Sequence, residues 1–210
     1  MTALGVARAA PPFTRGVDAL RPFQRPELES LIARYAIKVV GAYLEVLTPA
    51  YVDLLFGLGL GIAPYSEAVT GAVTAAMGTT TGARVASLAL TLGCPASCDL
   101  LIDAEDMTGD VPGFVNDRHS AYGAAGGYGS LLYVGLPLPA EVTPDVLQGL
   151  LPSRYMRSCS LSCPVPSLRK WCVLQHTPGN FLDPELGIRL DHFTVEQDAL
   201  GGLPTWWWPE

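Results

Sequence analysis

The chain is poor in charge. Lys, Arg, Asp and Glu make up 16% of its 210 residues, against about 25% in an ordinary soluble domain. Cations are the scarcer sign: 13 Lys and Arg stand against 20 Asp and Glu, for a net charge of −7. A nucleic-acid partner would need a basic stripe to neutralise phosphates, and these cations are scattered, so none is expected. Long apolar runs are missing too. Mean hydropathy is high, +0.29, yet no stretch reaches the roughly 18 uninterrupted apolar residues of a transmembrane helix. No membrane span is expected, and the apolar surplus points to a large core or to surface buried against partner chains. Met1 to Pro12 lacks the apolar segment of a secretory signal, so export by the standard route is not expected and synthesis in the cytoplasm is. The three histidines, His119, His176 and His192, fall in no Ser/His/Asp or Cys/His pattern, and the Gly-x-Ser-x-Gly elbow of serine hydrolases is absent. Gly126-Gly127-Tyr128-Gly129-Ser130 precedes a strand instead of following one, which argues against a phosphate cradle.

The five cysteines, Cys94, Cys98, Cys159, Cys163 and Cys172, include two Cys-x-x-x-Cys pairs. Zinc sites favour Cys-x2-Cys or Cys-x4-Cys, and the number is odd. These residues are read as buried structural thiols or an incidental disulfide, with no metal and no cofactor.

What is present is a repeated β-then-α order. Strand signals occur at Gly16–Ala19, Ile37–Tyr43, Leu60–Tyr65, Leu100–Asp106, Tyr128–Leu136, Tyr155–Leu161, Lys170–Gln175 and Gly187–Asp191. Between them, Glu27–Tyr35 has helical periodicity. Thr48-Pro49 and Thr143-Pro144 each pair an N-cap with a first-turn proline. Val69–Leu92 reads as a helix interrupted at Gly78–Gly82, and Met107–Gly127 as loop with helix at best. Cys163-Pro164-Val165-Pro166 stands where a sixth helix belongs. Eight strands alternating with helices predict an α/β fold: an irregular (β/α)8 TIM-type barrel whose sixth helix is reduced or absent. One domain is expected over 1–210, with a core at about 15–195, an N-terminal arm at 1–14 and a Trp-rich tail at 196–210. The tail either packs on the barrel or anchors a partner.

The most informative run is Leu100-Leu101-Ile102-Asp103-Ala104-Glu105-Asp106. Side chains in a strand alternate, so Asp103 and Glu105 share one face. Barrels keep their chemistry at the C-terminal ends of their strands. The same rule collects Asp18, Tyr43, Glu45, Tyr65, Glu67, Gln175 and Asp191. Carboxylates crowded there repel unless some hold protons, which is how a general acid is made near neutral pH. The plainer alternative is a set of solvated loop acids and packing tyrosines.

Gly16-Val17-Asp18, Asp103-Ala104-Glu105, Leu174-Gln175-His176 and Gly187-Ile188-Arg189-Leu190-Asp191 resemble family-25 glycoside hydrolases, the muramidases that cleave bacterial peptidoglycan. The chain resembles still more a related glycoside-hydrolase-like domain of bacterial and phage proteins. The shared runs are Leu47-Thr48-Pro49, Gly59 to Tyr65 and Leu92-Gly93-Cys94-Pro95. The resemblance implies β-1,4 glycosidic hydrolysis by carboxylates. Glu105 would be the general acid, and Asp103 would stabilise the transition state or orient an N-acetyl group. Asp18 and Asp191 would line the sugar site, with Glu67, Tyr65, Tyr43 and Gln175 as further substrate-binding candidates. Glu67 and Asp106 depart from the muramidase pattern. The implied partner is peptidoglycan or another polysaccharide, met at the cell wall or from within a phage particle. The alternative is a non-catalytic barrel serving as a structural or carbohydrate-binding part of a larger assembly such as a phage tail tip, with homo-oligomer or virion partners.

Overall fold

The computed structural model describes residues 5–66, 69–104, 106–135, 142–158, 171–176, 180–196 and 202–210. In chain order the elements are β1 (Gly5–Ala9), β2 (Arg15–Asp18), α1 (Arg25–Tyr35), β3 (Val39–Tyr43), a short 3-10 turn at Leu44–Val46, α2 (Pro49–Gly57), β4 (Gly61–Tyr65), β5 (Gly71–Val73) and α3 (Ala75–Thr91). There follow β6 (Asp99–Asp103), β7 (Met107–Gly109), α4 (Val111–Gly126), β8 (Gly129–Gly135), α5 (Pro144–Gly149), β9 (Arg154–Ser158), β10 (Trp171–Gln175), β11 (Phe181–Leu182), β12 (Arg189–Val195) and β13 (Thr205–Pro209).

Local chemistry sets the helix starts. Thr48, Thr74 and Thr143 cap α2, α3 and α5 by accepting from Tyr51, Met77 and Val146 backbone N–H groups, and Asp110 caps α4 through Gly113. Helix α1 opens on a reciprocal Gln24/Glu27 capping box and closes at Ala36 in the left-handed conformation.

The main sheet runs β1-β13-β4-β3-β2-β12-β10-β9-β8-β6, with β11 paired to β12. β2, β3 and β4 form one parallel block, and β10, β9, β8 and β6 form another. β12 joins them antiparallel to both. The sheet curls until its distant strands meet: the Ser66 hydroxyl, just past β4, donates to the Leu101 carbonyl of β6 (2.6 Å). The α/β class expected from the sequence is what the structure shows, as a mixed, curled half-barrel in which β12 runs against its neighbours. The reason lies in the connection after β10, which forms a β11–β12 hairpin instead of a helical crossover, so the last strand returns reversed. Among the described residues no ladder joins β4 to β6.

Both chain ends enter this sheet. β13 lies between β1 and β4, pairing Ala7 with Trp207 and Trp207 with Ile62. Trp206 and Trp208 fill the inside of the curl with Val39, Leu101, Met156 and Phe193. Trp207 faces outward against the Phe56 ring of α2, edge to face at 5.4 Å. The described part of the tail, 202–210, therefore packs into the sheet, the first of the two options left open for it. A second core lies between the sheet and its helices, around Leu28, Leu55, Phe114 and Tyr155.

Two expectations from the sequence are revised. Helix α3 runs unbroken through Gly78 and Gly82. Four residues apart, the two glycines share one face, and α4 presses its backbone against them. A Cβ on Gly82 would stand 3.0 Å from the Arg118 carbonyl oxygen, and one on Gly78 would collide with the Phe114 carbonyl oxygen. They serve close helix packing, not a break. Residues 107–127, expected as loop and then helix at best, form the short strand β7 and a full helix, α4. β7 pairs with β5 in a small parallel sheet that ties the chain after β4 to the chain after β6. Gly78→Ala is expected to destabilise the protein by about 2 kcal/mol in urea unfolding. Overpacking against backbone, at about 1–3 kcal/mol, outweighs the gain of about 1 kcal/mol in helix propensity.

Cys94, Cys98 and Cys172 are buried free thiols. A hydrogen bond to Cys98 and burial push the Cys94 thiol up, away from reactivity. Cys159, Cys163 and the expected gap at the sixth helix lie outside the described residues.

Candidate functional site

The strand-end rule gathers its residues at one rim of the curl. A cavity of about 90 Å³ there is lined by Asp18, Tyr43, Tyr65, Leu101, Asp103, Tyr133, Met156, Gln175 and Asp191. Six of these are residues the sequence pointed to: Asp18, Tyr43, Tyr65, Asp103, Gln175 and Asp191. Glu67 and Glu105 lie outside the described residues. Glu45 is exposed in the 3-10 turn and does not line the cavity.

Register explains the convergence. Asp18 ends β2 directly opposite Gly41 of β3 on one side and Asp191 of β12 on the other. Because β12 is reversed, its beginning lies at the rim where the parallel strands end. Asp191 thus reaches the cavity from the opposite chain direction to the one expected. Tyr43 and Tyr65 are register partners on β3 and β4, their rings edge to face at 5.9 Å. Gly41 makes room beneath them: a Cβ there would stand 2.7 Å from the Tyr65 ring and 2.8 Å from the Asp18 Cβ. The missing side chain lets the Tyr65 ring cross β3, where its hydroxyl donates to Met156 Sδ (3.7 Å) and lies near enough to Asp18 to favour its charged form. Asp103 ends β6 opposite Tyr133 of β8, and Tyr133 neighbours Met156 of β9.

Tyr133 and Met156 were not anticipated. Tyr133 sits two residues short of the end of β8, and neither residue is acidic, so a search for acids at strand ends passes over both. The alternation Leu131, Tyr133 within a buried strand was the available signal.

The electrostatics separate the carboxyl groups. Asp18 is buried, and burial holds its carboxyl well above the ordinary range. The nearby charges of Asp191 and Asp103 push it further, while the Tyr65 hydroxyl pulls it back. Asp103 and Asp191 are each only partly buried. One carboxyl that favours its proton beside two more exposed ones is the kind of split environment that divides acid and base roles. Among the described residues, no group of three or more His, Cys, Asp or Glu side chains is placed to hold a metal ion.

The curled α/β sheet has the fold of solved lysozymes and muramidases, among them a family GH25 lysozyme from Aspergillus fumigatus. The solved structures it is similar to include an uncharacterised protein of B. stearothermophilus, with 15% identity and a TM-score of 0.72 over 90% of this chain and 99% of that one. The Tat-secreted protein Rv2525c of Mycobacterium tuberculosis, solved in complex with L-tartrate, matches at 14% identity and a TM-score of 0.62 over 90% and 98%. A muramidase from Acremonium alcalophilum matches at 14% identity and a TM-score of 0.55 over 90% and 97%. No protein-family model matches the chain, and no curated protein matches it by sequence.

Proposed function

We propose that the chain is a glycoside hydrolase of muramidase type that cleaves β-1,4 bonds in peptidoglycan. The observation that carries this reading is the meeting of Asp18, Asp103 and Asp191 with Tyr43, Tyr65 and Tyr133 in one cavity. The tyrosine rings offer stacking faces for a sugar, and the carboxyl groups offer the acid and charge-stabilising roles of glycosidic cleavage. In this reading Glu105 is the general acid, and Asp103 stabilises the developing positive charge or orients the substrate's acetamido group. Asp18 and Asp191 complete the sugar site, with Glu67 and Gln175 as further binding groups. The curled sheet is then an irregular (β/α)8 barrel with its eighth strand reversed.

Purified peptidoglycan incubated with the protein at about pH 4 to 8 is expected to release reducing sugar and soluble muropeptides. Glu105→Gln is expected to lower that release by about 10²–10⁴-fold, the usual contribution of a positioned general acid. No release from the native protein on several wall types would overturn the reading. One observation favours a second reading, a carbohydrate-binding barrel without turnover: the cavity of about 90 Å³ is small beside the roughly 300–1,000 Å³ of ordinary ligand pockets. Peptidoglycan binding without product release would select it.

A further inference from the structure

The β2–β12 ladder has two faces. Asp18 and Asp191 point from its inner face into the strand-end cavity. By strand alternation, Arg15, His192 and Thr194 belong to the outer face. His176, just past β10, stands opposite His192 and donates its backbone N–H to the His192 carbonyl (2.7 Å). On this side lies a second and larger cavity of about 580 Å³, within the size range of small-molecule sites.

The lining of this cavity is specific in kind. Phe13, Tyr35 and Phe181 supply aromatic walls, and the polar groups are Arg15, His176, His192 and Thr194. No acidic side chain lines it among the described residues. The carboxylates nearby are engaged elsewhere. Asp183 accepts from the Arg34 guanidinium (2.9 Å) and from the Tyr35 hydroxyl (2.9 Å), and Glu185 pairs with Arg34 (3.0 Å). Asp191 faces the inner cavity and accepts from the Asn180 N–H. Among the described residues the Arg15 side chain makes only a long 3.4 Å donation to the Tyr35 carbonyl. His176 bonds the Thr194 hydroxyl (2.7 Å), and His192 lies edge-on to Tyr35 at 4.6 Å.

The rim adds an independent observation. Phe13 is 63% exposed and holds φ at +63°, the left-handed region that bulky residues disfavour. Asn or Gly would turn the chain there at lower cost. A strained, exposed aromatic ring at the mouth of an aromatic cavity is the kind of feature found at ligand clamps.

We propose that this outer cavity is a second ligand site, separate from the strand-end cavity, which binds a small aromatic carboxylate with its ring among Phe13, Tyr35 and Phe181 and its anionic group toward Arg15, His176 and His192. Proton uptake accompanies binding. In the free protein burial pushes both imidazoles down; Arg15 adds to this at His176, and His176 and Arg34 add to it at His192, against the pull of Asp183 and Asp191. A carboxylate among them reverses that balance.

The test is calorimetric titration of the whole protein with 2-naphthoate, using 2-naphthamide as the uncharged control. Saturable binding of one naphthoate is expected, at least tenfold tighter than the amide and several-fold tighter at pH 5.5 than at pH 7.5. Arg15→Gln is expected to weaken it about tenfold. Phe13→Asn is expected to weaken it while leaving the melting temperature unchanged or raised, which a purely structural Phe13 would not do. Asp103→Asn, in the other cavity, is expected to leave it unchanged. Absence of saturable naphthoate binding overturns the proposal, as does equal affinity for the amide or loss of binding in Asp103→Asn but not in Arg15→Gln. Peptidoglycan release is read separately, so failure here leaves the hydrolase reading standing and the reverse also holds.

Discussion

Asp18→Asn is expected to make the protein more stable at neutral pH and to impair it as an enzyme. Asp18 is buried, sits in register with Asp191, and is pushed well above the ordinary carboxyl range by burial first and by the charges of Asp191 and Asp103 next. A carboxyl whose folded value is raised contributes most to stability below its unfolded value, near 4. That contribution is lost as the pH rises through the folded value. Asn keeps the shape, but it carries no charge to desolvate. The gain is expected to be about 1–2 kcal/mol, typical of relieving one costly polar feature. It should be near zero at about pH 4 and grow toward pH 7. Melting temperatures of the two proteins across that range measure it. A constant difference, or a less stable variant at pH 7, would show that Asp18 is not held protonated. On the muramidase reading the same change lowers peptidoglycan release on the order of 10²-fold, the low end of what one positioned acid contributes. A residue whose removal stabilises the fold and impairs turnover is retained for its chemistry.

Other titrations act beside it. Burial holds Asp99 at about 6 despite Arg154 and the Thr205 N–H, so its contribution has the same sign as that of Asp18. Asp183 works in the other direction. Although burial pushes it up, Arg34, Tyr35 and the N–H groups of Leu186 and Glu185 hold it at about 2. Its contribution is present above the unfolded value and lost as the pH falls toward 2. Comparing the Asp18 variant with the parent at each pH cancels both terms, which is why the difference is the quantity to read.

The candidate site was more legible in the sequence than the fold that builds it. Alternation within short strands and the habit of placing acids at strand ends are local signals, and they located Asp18, Asp103 and Asp191. Asp191 was located despite the wrong strand direction, because a hairpin brings the start of β12 to the same rim as the ends of its neighbours. Pairings between distant parts of the chain carry no such local signal. Nothing near Gly5 announces that it will face Pro209. Gly78 and Gly82 read as a helix break because propensity sees only the chain itself, whereas the backbone of α4 is what requires them. Helix α4 was obscured for a related reason: its glycines and polar residues blur the apolar stripe, and its burial comes from packing against α3 and the sheet.

Trp206→Ala is expected to cost about 3–5 kcal/mol, the usual penalty for emptying a large aromatic site in a core. That is a large share of the roughly 5–15 kcal/mol that holds an ordinary domain together. Trp206 is fully buried inside the curl, with its ring 5.8 Å from that of Phe193. Among the described residues its indole Nε1 has no hydrogen-bond partner, and what holds the residue there is shape and apolar burial. Trp206→Phe therefore serves as the control. It loses volume but also removes a buried unpaired donor worth about 1–3 kcal/mol, and it is expected to cost far less than the alanine. Chemical unfolding of the three proteins separates these cases. An alanine variant within about 1 kcal/mol of the parent would mean that the C-terminal strand is not part of the core. The effect should also reach the site. Phe193, which Trp206 supports, lies over Gly16, where a Cβ would strike its ring. Two residues along β2 stands Asp18, opposite Asp191. A cavity opened beneath Phe193 loosens the ladder that sets those two carboxyl groups side by side. Trp206→Ala, assayed below its melting temperature, is thus expected to lose peptidoglycan release that Trp206→Phe retains.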